Sequence, residues 1–356
     1  MSLTRTERVE GSLLGTALGD SIGLPYEGVS SRRAAKILGM PSRHRFLFGR
    51  GMVSDDTEHS CMVAEAITKV GTDPALFRRE LARRFRWWLA AVPAGVGKAT
   101  AMSIIKLWLG WSPGSCGVFS AGNGPAMRSP VLGALIDDCD KLRSLVRAST
   151  CLTHTDPKAE YGALVIAAMA RLAARGQLTD SRQVREEVLP MLLSDDPAAQ
   201  ELHLLLEKAI DAADSGLTSI QFADSIGLER EVTGYTYHTV PVAVHASLRY
   251  RNSFEDAIVQ VVQCGGDTDT VAAIVGGILG AAVGPNGLPR HWVAGLCEWP
   301  RNQAYIKGLA ETLVRSLDSP EPLPHRSPVF FKLLTRNIFF LLIVLAHCFR
   351  RLLPPY

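Results

Sequence analysis

The sequence of 356 residues lacks a strong excess of either charge, since 38 basic and 35 acidic residues leave a net charge of +3. So small a positive balance argues against nucleic acid as the main partner. Aromatic residues are also few, at 7%, which speaks against a base-stacking platform for single-stranded nucleic acid. Hydrophobic residues make up 47%, enough to build a large core.

The seven cysteines form no Cys-x-x-Cys pair, and their number is odd. Scattered cysteines of this kind are typical of reduced thiols and indicate neither a disulfide framework nor a zinc site. The opening residues, MSLTRTERVE, lack the apolar stretch of a signal peptide. We therefore expect the body of the protein to be cytoplasmic.

Alternating strand patterns and fixed-period repeats are missing as well. Between about Glu7 and Ser316, apolar residues recur at three- and four-residue steps, which predicts helices joined by short loops. The predicted helices cover residues 8–22, 58–70, 74–89, 132–149, 158–174, 183–192, 197–215, 240–250, 254–264, 269–282 and 300–316. No clear linker divides this region, so we expect one all-α domain over residues 1–318.

The last part of the chain has a different composition. Residues 319–328 are rich in proline and are predicted to be a linker. Residues 329–356 form an apolar tail, but the 21 residues 329–349 include four polar side chains, Lys332, Arg336, Asn337 and His347. A spanning helix needs about 20 mostly apolar residues. Four interpretations stay open: a membrane-surface helix with basic flanks, a poor tail anchor, a helix between subunits, and a core-packing helix.

The strongest local signal is the tetrapeptide Ser54-Asp55-Asp56-Thr57, which precedes a helical run. Two adjacent carboxylates at a helix start repel each other, and a hard divalent cation relieves that repulsion because it prefers oxygen ligands. An ordinary helix cap explains the same residues. The tetrapeptide alone therefore does not decide between a cap and a metal site.

A second acidic turn follows the pair Gly265-Gly266, between two apolar helical segments. It carries Asp267, Asp269 and Thr270, whose oxygens can converge at a helix N-terminus. Together the two turns predict a binuclear site, in which two ions lie roughly 3.5–4 Å apart. Without a thiolate or histidine ligand, Mg²⁺ or Mn²⁺ is favoured over Zn²⁺.

Three further segments have the composition of a ligand site. A turn after the glycine-spaced residues 11–23 presents Glu27, a Gly/Ser-rich loop covers residues 114–128, and a polar break contains His154. Backbone N–H groups of such a loop can hold a pyrophosphate. Each segment also has a simpler interpretation: a solvated turn residue, a plain surface loop, and a capping or core histidine.

Taken in order, the blocks GDSIGLPYEG, SDDT, GNGPAMR, THTDP and GGDTDT resemble the ADP-ribosylglycohydrolase family over roughly residues 5–316. The resemblance implies an all-α orthogonal helical bundle. It also implies an enzyme that hydrolyses the glycosidic bond between ADP-ribose and a modified protein side chain or small molecule. Two Mg²⁺ or Mn²⁺ ions would serve as cofactors.

The resemblance also implies roles for individual residues. The implied metal ligands are Ser54, Asp55, Asp56, Asp267, Asp269 and Thr270. The implied catalytic carboxylates are Asp55, Asp56 and Glu27. The implied substrate contacts are Glu27, Ser120, Gly122, Asn123, Gly124, His154 and Tyr235. Ala121 departs from relatives that carry an aromatic residue there for adenine, and Phe119 is the candidate replacement.

Three rival functions remain at this point. The fold could bind ADP-ribose without turnover, as a catalytically inactive module. A two-metal phosphohydrolase would instead cut the pyrophosphate. A membrane-tethered regulator would depend mainly on contact between residues 329–349 and a membrane surface.

Overall fold

The structure is a computed structural model that describes residues 3–319 and 327–351. In these residues the chain forms eighteen α-helices and no β-strand, which confirms the all-α prediction. The helices of the first half are α1 (Arg5–Gly23), α2 (Ser31–Ile37), α3 (Asp55–Val70), α4 (Pro74–Ala90), α5 (Lys98–Trp108), α6 (Gly124–Met127), α7 (Pro130–Leu135), α8 (Cys139–Cys151) and α9 (Pro157–Ala174). Those of the second half are α10 (Ser181–Glu187), α11 (Pro197–Asp214), α12 (Ser219–Ser225), α13 (Thr236–Arg249), α14 (Phe254–Gln263), α15 (Thr268–Val283), α16 (Arg290–Gly295), α17 (Gln303–Asp318) and α18 (Phe330–Arg351).

An antiparallel pair, α1 and α15, forms the centre of the fold. A Cβ atom at Gly15 would lie 2.1 Å from the carbonyl oxygen of Gly276, and one at Gly19 would lie 2.0 Å from that of Ala272. The two backbones therefore touch where no side chain fits, because small residues repeat every four positions along α1. The Thr268 hydroxyl also donates to the Gly23 carbonyl at 2.9 Å. This contact fixes the end of α1 beside the start of α15.

The remaining helices surround this pair. Helices α9, α13 and α14 pack on α15, while α3, α7 and α17 pack on α1. Helix α9 is buried over most of its length, which agrees with its many alanines and few charges. The N-termini of α3 and α15 thereby come to the same end of the core.

Some helix boundaries differ from the prediction. The single helix predicted over residues 132–149 is wrong: α7 ends at Leu135, and α8 begins at Cys139. A new helix begins after Asp138, because the Asp138 side chain accepts a hydrogen bond of 2.7 Å from the Lys141 amide and caps α8. The prediction missed α2, α5 and α12, whose apolar patterns are short.

The apolar tail forms α18, which has the length and composition of a membrane-spanning helix. One side of it packs against the body, where Leu333, Arg336, Asn337 and Phe340 are buried. Most of its other apolar side chains are exposed. Of the predicted linker 319–328, residues 320–326 lie outside the described residues.

Candidate active site

The first acidic turn is fixed by a buried carboxylate on α1. Both oxygens of Asp20 accept from the Ser54 amide at 2.9 Å. One of them also accepts from the Thr57 hydroxyl at 2.6 Å and from the Thr57 amide at 3.2 Å. Asp20 therefore binds amides of the α3 N-terminus, the end of a helix that favours negative charge. Its own pKa is raised to about 7 by burial.

Ser54 is the N-cap of α3, and its side chain also contacts the Asp56 carboxylate. Its hydroxyl accepts from the Asp56 amide at 3.2 Å and donates to Asp56 Oδ2 at 2.9 Å. The Thr270 hydroxyl, from α15, donates to the same oxygen at 3.3 Å. The two acidic turns, 214 residues apart in the chain, are thus in direct contact.

The second acidic turn depends on Gly266, whose φ of +84° lies in the left-handed region. A Cβ atom there would also lie 2.2 Å from the Val232 carbonyl oxygen. The turn brings side-chain oxygens of Asp267 and Asp269 within 4.8 Å of each other and of a Glu27 oxygen. Asn123 donates to Asp267 at 2.6 Å, which joins the Gly/Ser loop to the acidic cluster.

The acidic cluster comprises the carboxylates Asp20, Glu27, Asp55, Asp56, Asp267 and Asp269. Burial raises the pKa of Asp55, Asp56 and Asp269 well above the ordinary value. Repulsion from neighbouring carboxylates raises each pKa further; Asp20 acts on Asp55 and Asp56, and Glu27 acts on Asp269. So many like charges in one enclosed place are destabilising unless protons or cations neutralise them.

The donor set fits divalent cations. Asp56 Oδ1 and Asp269 Oδ1 are buried and have no hydrogen-bond partner among the described residues. A buried carboxylate oxygen without a partner costs free energy that an ion can recover. All the candidate ligands are oxygens, which hard cations prefer.

The Gly/Ser loop borders the cluster and is held from behind by Arg128. This buried guanidinium donates to the Gly124 carbonyl at 3.0 Å and to the Thr153 hydroxyl at 2.8 Å. In the loop, the Gly122 amide donates to Ser120 Oγ at 3.3 Å, and the Asn123 amide donates to the Gly234 carbonyl at 2.9 Å. The Gly122 and Asn123 amides therefore already donate to acceptors within the protein. Ser120 accepts the bond from Gly122, so its hydroxyl hydrogen can still be donated to a ligand.

His154 lies behind Gly122 with a defined ring orientation. Its Nδ1 is 2.8 Å from the Thr153 hydroxyl, which also accepts from Arg128. Because a guanidinium can only donate, the hydroxyl hydrogen of Thr153 is available to Nδ1, and the ring proton is then assigned to Nε2. Burial, with a smaller contribution from Arg128, lowers the pKa of His154 to about 3. The ring is thus neutral at ordinary pH and offers an N–H donor.

These groups line one cleft of about 540 Å³, a volume within the range of small-molecule sites. The predicted residues that line it are Glu27, Ser54, Asp55, Asp267, Asp269, Thr270, Ser120, Gly122, Asn123, Gly124 and His154. Asp56 lies beneath the cleft floor with only 1% of its surface exposed.

Besides Asp56, two residues named from the sequence do not line the cleft. The Tyr235 hydroxyl accepts a hydrogen bond of 2.8 Å from Lys158; its neighbours Thr233 and Gly234 form that part of the wall. The side chain of Phe119 is 76% exposed outside the cleft. An adenine contact from Phe119 therefore has no support in this structure.

Comparison with known proteins places this arrangement in a family. The family described as ADP-ribosylglycohydrolase matches residues 1–322. The chain belongs to the ADP-ribosylglycohydrolase family. Membership supports hydrolysis of ADP-ribose linkages and confirms the resemblance drawn from the five sequence blocks.

Individual relatives are distant but align over most of their length. The ADP-ribosyl-[dinitrogen reductase] glycohydrolase of Rhodospirillum rubrum is 26% identical, over 82% of this chain and 90% of its own. The ADP-ribosylhydrolase ARH3 of Gallus gallus is 25% identical, over 87% and 94%. A solved structure, described as an ADP-ribosylglycohydrolase-related protein complex, shares the fold with a TM-score of 0.59 at 24% identity, covering 88% of this chain and 99% of that one.

Several residues of this candidate site were missed in the sequence. Asp20 lies within the predicted helix 8–22, and only its place in the block GDSIG marked it. Lys98, at the start of α5, and Phe340 and Val344, on α18, also line the cleft. No local pattern announces them, because they reach the cleft only through tertiary packing.

Proposed function

We propose that this enzyme hydrolyses the glycosidic bond between ADP-ribose and a modified side chain or small molecule at a binuclear Mg²⁺ or Mn²⁺ site. The ligands would be Ser54, Asp55, Asp56, Asp267, Asp269 and Thr270. The observation that carries the proposal is the contact between two acidic helix N-termini, 214 residues apart in the chain, beside the floor of one cleft. The two partnerless buried carboxylate oxygens, on Asp56 and Asp269, support the same proposal.

Bound ions would neutralise the cluster, orient ribose hydroxyls and lower the pKa of a water. The bond that breaks joins the anomeric carbon of the ribose to the target, and positive charge develops on the sugar in such reactions. The carboxylates exposed to the cleft stabilise that charge.

Glu27 is our candidate for the group that takes the proton from the attacking water. It is the most exposed carboxylate of the cluster and lines the cleft, so substrate and water can reach it. Asp56 suits this role less well, because it lies beneath the floor and one of its oxygens accepts from Ser54 and Thr270. Asp55 faces the cleft but sits at the α3 N-terminus among the proposed ligands.

The opposite wall offers donors suited to a diphosphate. The Ser120 hydroxyl and the His154 Nε2–H line it, and the exposed Lys98 adds a positive charge at the rim. These groups would hold the substrate in place and take no part in bond breaking.

The test is a release assay that identifies products by mass. Purified protein is incubated with ADP-ribosyl-arginine, ADP-ribosyl-serine and O-acetyl-ADP-ribose, each with Mg²⁺, with Mn²⁺ and with chelator. We expect free ADP-ribose from at least one conjugate, and its loss with chelator. Asp269→Asn should abolish release, whereas the matched control Asp224→Asn, on the exposed surface of α12, should not.

Two other outcomes would refute the proposal. AMP as the product would mean pyrophosphate cleavage by a two-metal phosphohydrolase. Tight binding of ADP-ribose without release from any conjugate would indicate the catalytically inactive binding module.

A further inference from the structure

An exposed apolar stripe runs along the outer side of α18. It comprises Phe331, Ile338, Leu342, Leu345 and Phe349, which are 53–73% exposed. Their spacings of seven, four, three and four residues keep them on one side of the helix over about 27 Å. Single exposed apolar side chains are ordinary, but a contiguous row of this length marks an interaction surface.

The stripe continues beyond α18 onto exposed tryptophans. The Phe330 ring lies 5.7 Å from Trp87, and Trp87 lies 5.7 Å from Trp108. Both tryptophans are about half exposed. Tryptophan is enriched at the level of lipid headgroups, where its amphipathic ring is favoured.

The exposed charges described on α18 itself are basic. No acidic residue follows Glu321 in the sequence. Lys332 and Arg350 are exposed on one flank of the stripe, and Arg86 lies 5.9 Å from the Trp108 ring. Basic side chains beside an exposed apolar stripe are complementary to an anionic lipid surface.

The inner side of α18 argues against a helix that spans a membrane. Arg336 is buried and forms a salt bridge of 2.8 Å with the buried Glu298, and Asn337 donates to the Ala91 carbonyl at 2.9 Å. Spanning would withdraw both residues from these partners. It would place the charged Arg336 in hydrocarbon, which is costly, and leave Glu298 buried without its partner.

We propose that α18 is an in-plane docking helix, whose apolar stripe binds an anionic membrane surface while its polar side stays on the enzyme body. The occupant is a lipid bilayer with negatively charged headgroups. This inference does not depend on the reaction that the cleft catalyses.

The test measures co-sedimentation of the full chain with vesicles of phosphatidylcholine, with and without phosphatidylglycerol. We expect binding to the anionic vesicles that weakens as salt rises. The double variant Ile338→Glu/Leu342→Glu should bind about tenfold or more weakly, since it replaces two apolar side chains of the stripe with charges that an anionic surface repels. The matched control Leu204→Glu, at an equally exposed position on α11, should bind as the unaltered chain does.

Three outcomes would overturn the proposal. The first is that the unaltered chain does not bind anionic vesicles. The second is that the unaltered chain forms a dimer that the double variant dissolves, which would show that a second copy covers the stripe. The third is that vesicle-bound protein does not redistribute to fresh vesicles, which would indicate an inserted spanning helix.

A second observation on the same helix concerns the metal site proposed above. The residue before Ser54 is Val53, and Glu298 and Arg336 together bind both of its backbone polar groups. The Val53 amide donates to Glu298 Oε2 at 3.1 Å, and Arg336 Nη2 donates to the Val53 carbonyl. The guanidinium also binds both oxygens of Glu298, at 2.8 and 2.9 Å.

We infer that Arg336 is a positioning residue, which holds the first acidic turn in place beside the second. A bidentate buried pair has a rigid geometry, and here it fixes the peptide groups of Val53. This inference rests on the proposed metal site. Helix α18 lies outside residues 1–322, the region matched to the family. We therefore expect a helix outside that region to influence the affinity of the site for Mg²⁺ or Mn²⁺.

The test measures Mn²⁺ affinity of the full chain, together with melting temperature and the separate kcat and KM values. Arg336→Met should weaken Mn²⁺ binding about tenfold or more, and Arg336→Lys should restore part of it. The matched control is Leu333→Ala, which removes a buried apolar side chain of α18. It should lower the melting temperature but leave Mn²⁺ affinity unchanged.

The two ways of failing are distinct. Absence of Mn²⁺ binding by the unaltered chain would refute the metal site itself. Normal Mn²⁺ affinity in a folded Arg336→Met variant would refute only the positioning role.

Discussion

At the residue scale, the members of the acidic cluster have different roles. The two acidic turns were predictable, because adjacent oxygens before a helix are a local pattern with a definite physical meaning. Asp20 was not, because its partner Ser54 lies 34 residues away and a lone aspartate inside an apolar helix gives no signal. The site therefore contains candidate ligands that sequence predicts and a tertiary support that sequence alone does not show.

Glu27 provides the residue-scale prediction. If Glu27 takes a proton from water, Glu27→Gln should lower kcat by about 10²–10⁴-fold while Mn²⁺ affinity changes only a few-fold. Steady-state kinetics and a Mn²⁺ titration on the same preparation measure both. The control is Glu186→Gln, an exposed glutamate of α10. A kcat within a factor of three of the unaltered enzyme would remove Glu27 from the mechanism.

At the element scale, most helices follow from their apolar spacing and caps. The central helices α1 and α15 were predicted to within a few residues because their patterns are long. The break between α7 and α8 was missed, because Asp138 breaks the helix without a glycine or proline. The role of α18 was left open, since only the folded structure shows that Arg336 and Asn337 face the body.

The contact between α1 and α15 makes an element-scale prediction about stability. Gly15→Ala adds a Cβ where the Gly276 carbonyl oxygen lies 2.1 Å away, so the helices must separate. We expect a loss of about 3 kcal/mol or more in unfolding free energy, measured by denaturant titration.

The control for this prediction is Gly308→Ala on α17, where no atom lies within 4 Å of the added Cβ. Alanine should there gain about 0.5–1 kcal/mol, because glycine is a poor helix former. Equal effects of the two substitutions would contradict the proposed close contact.

At the scale of the whole molecule, a buried histidine far from the acidic cluster predicts acid sensitivity. His245 stacks on Phe222, with ring centroids 4.8 Å apart, and burial lowers its pKa to about 4. Below the ordinary histidine pKa of about 6.5, the unfolded chain gains a proton that the folded chain does not accept. The contribution of His245 to stability therefore falls by up to about 3 kcal/mol as pH drops from about 6.5 to about 4.

The measurement is unfolding free energy at several pH values for the unaltered chain and for His245→Gln. The variant is expected to be less stable at pH 7 but to lose less stability on acidification. Parallel pH curves for the two proteins would assign the acid sensitivity to other groups.

The central proposal for this enzyme is that a divalent-metal site in the acidic cluster drives release of ADP-ribose. The most direct measurement adds Mn²⁺ stepwise to metal-stripped protein and follows the rate of ADP-ribose release by mass. We predict no release without metal and a rate that rises until two ions per chain are bound. Full release in excess chelator would contradict the claim.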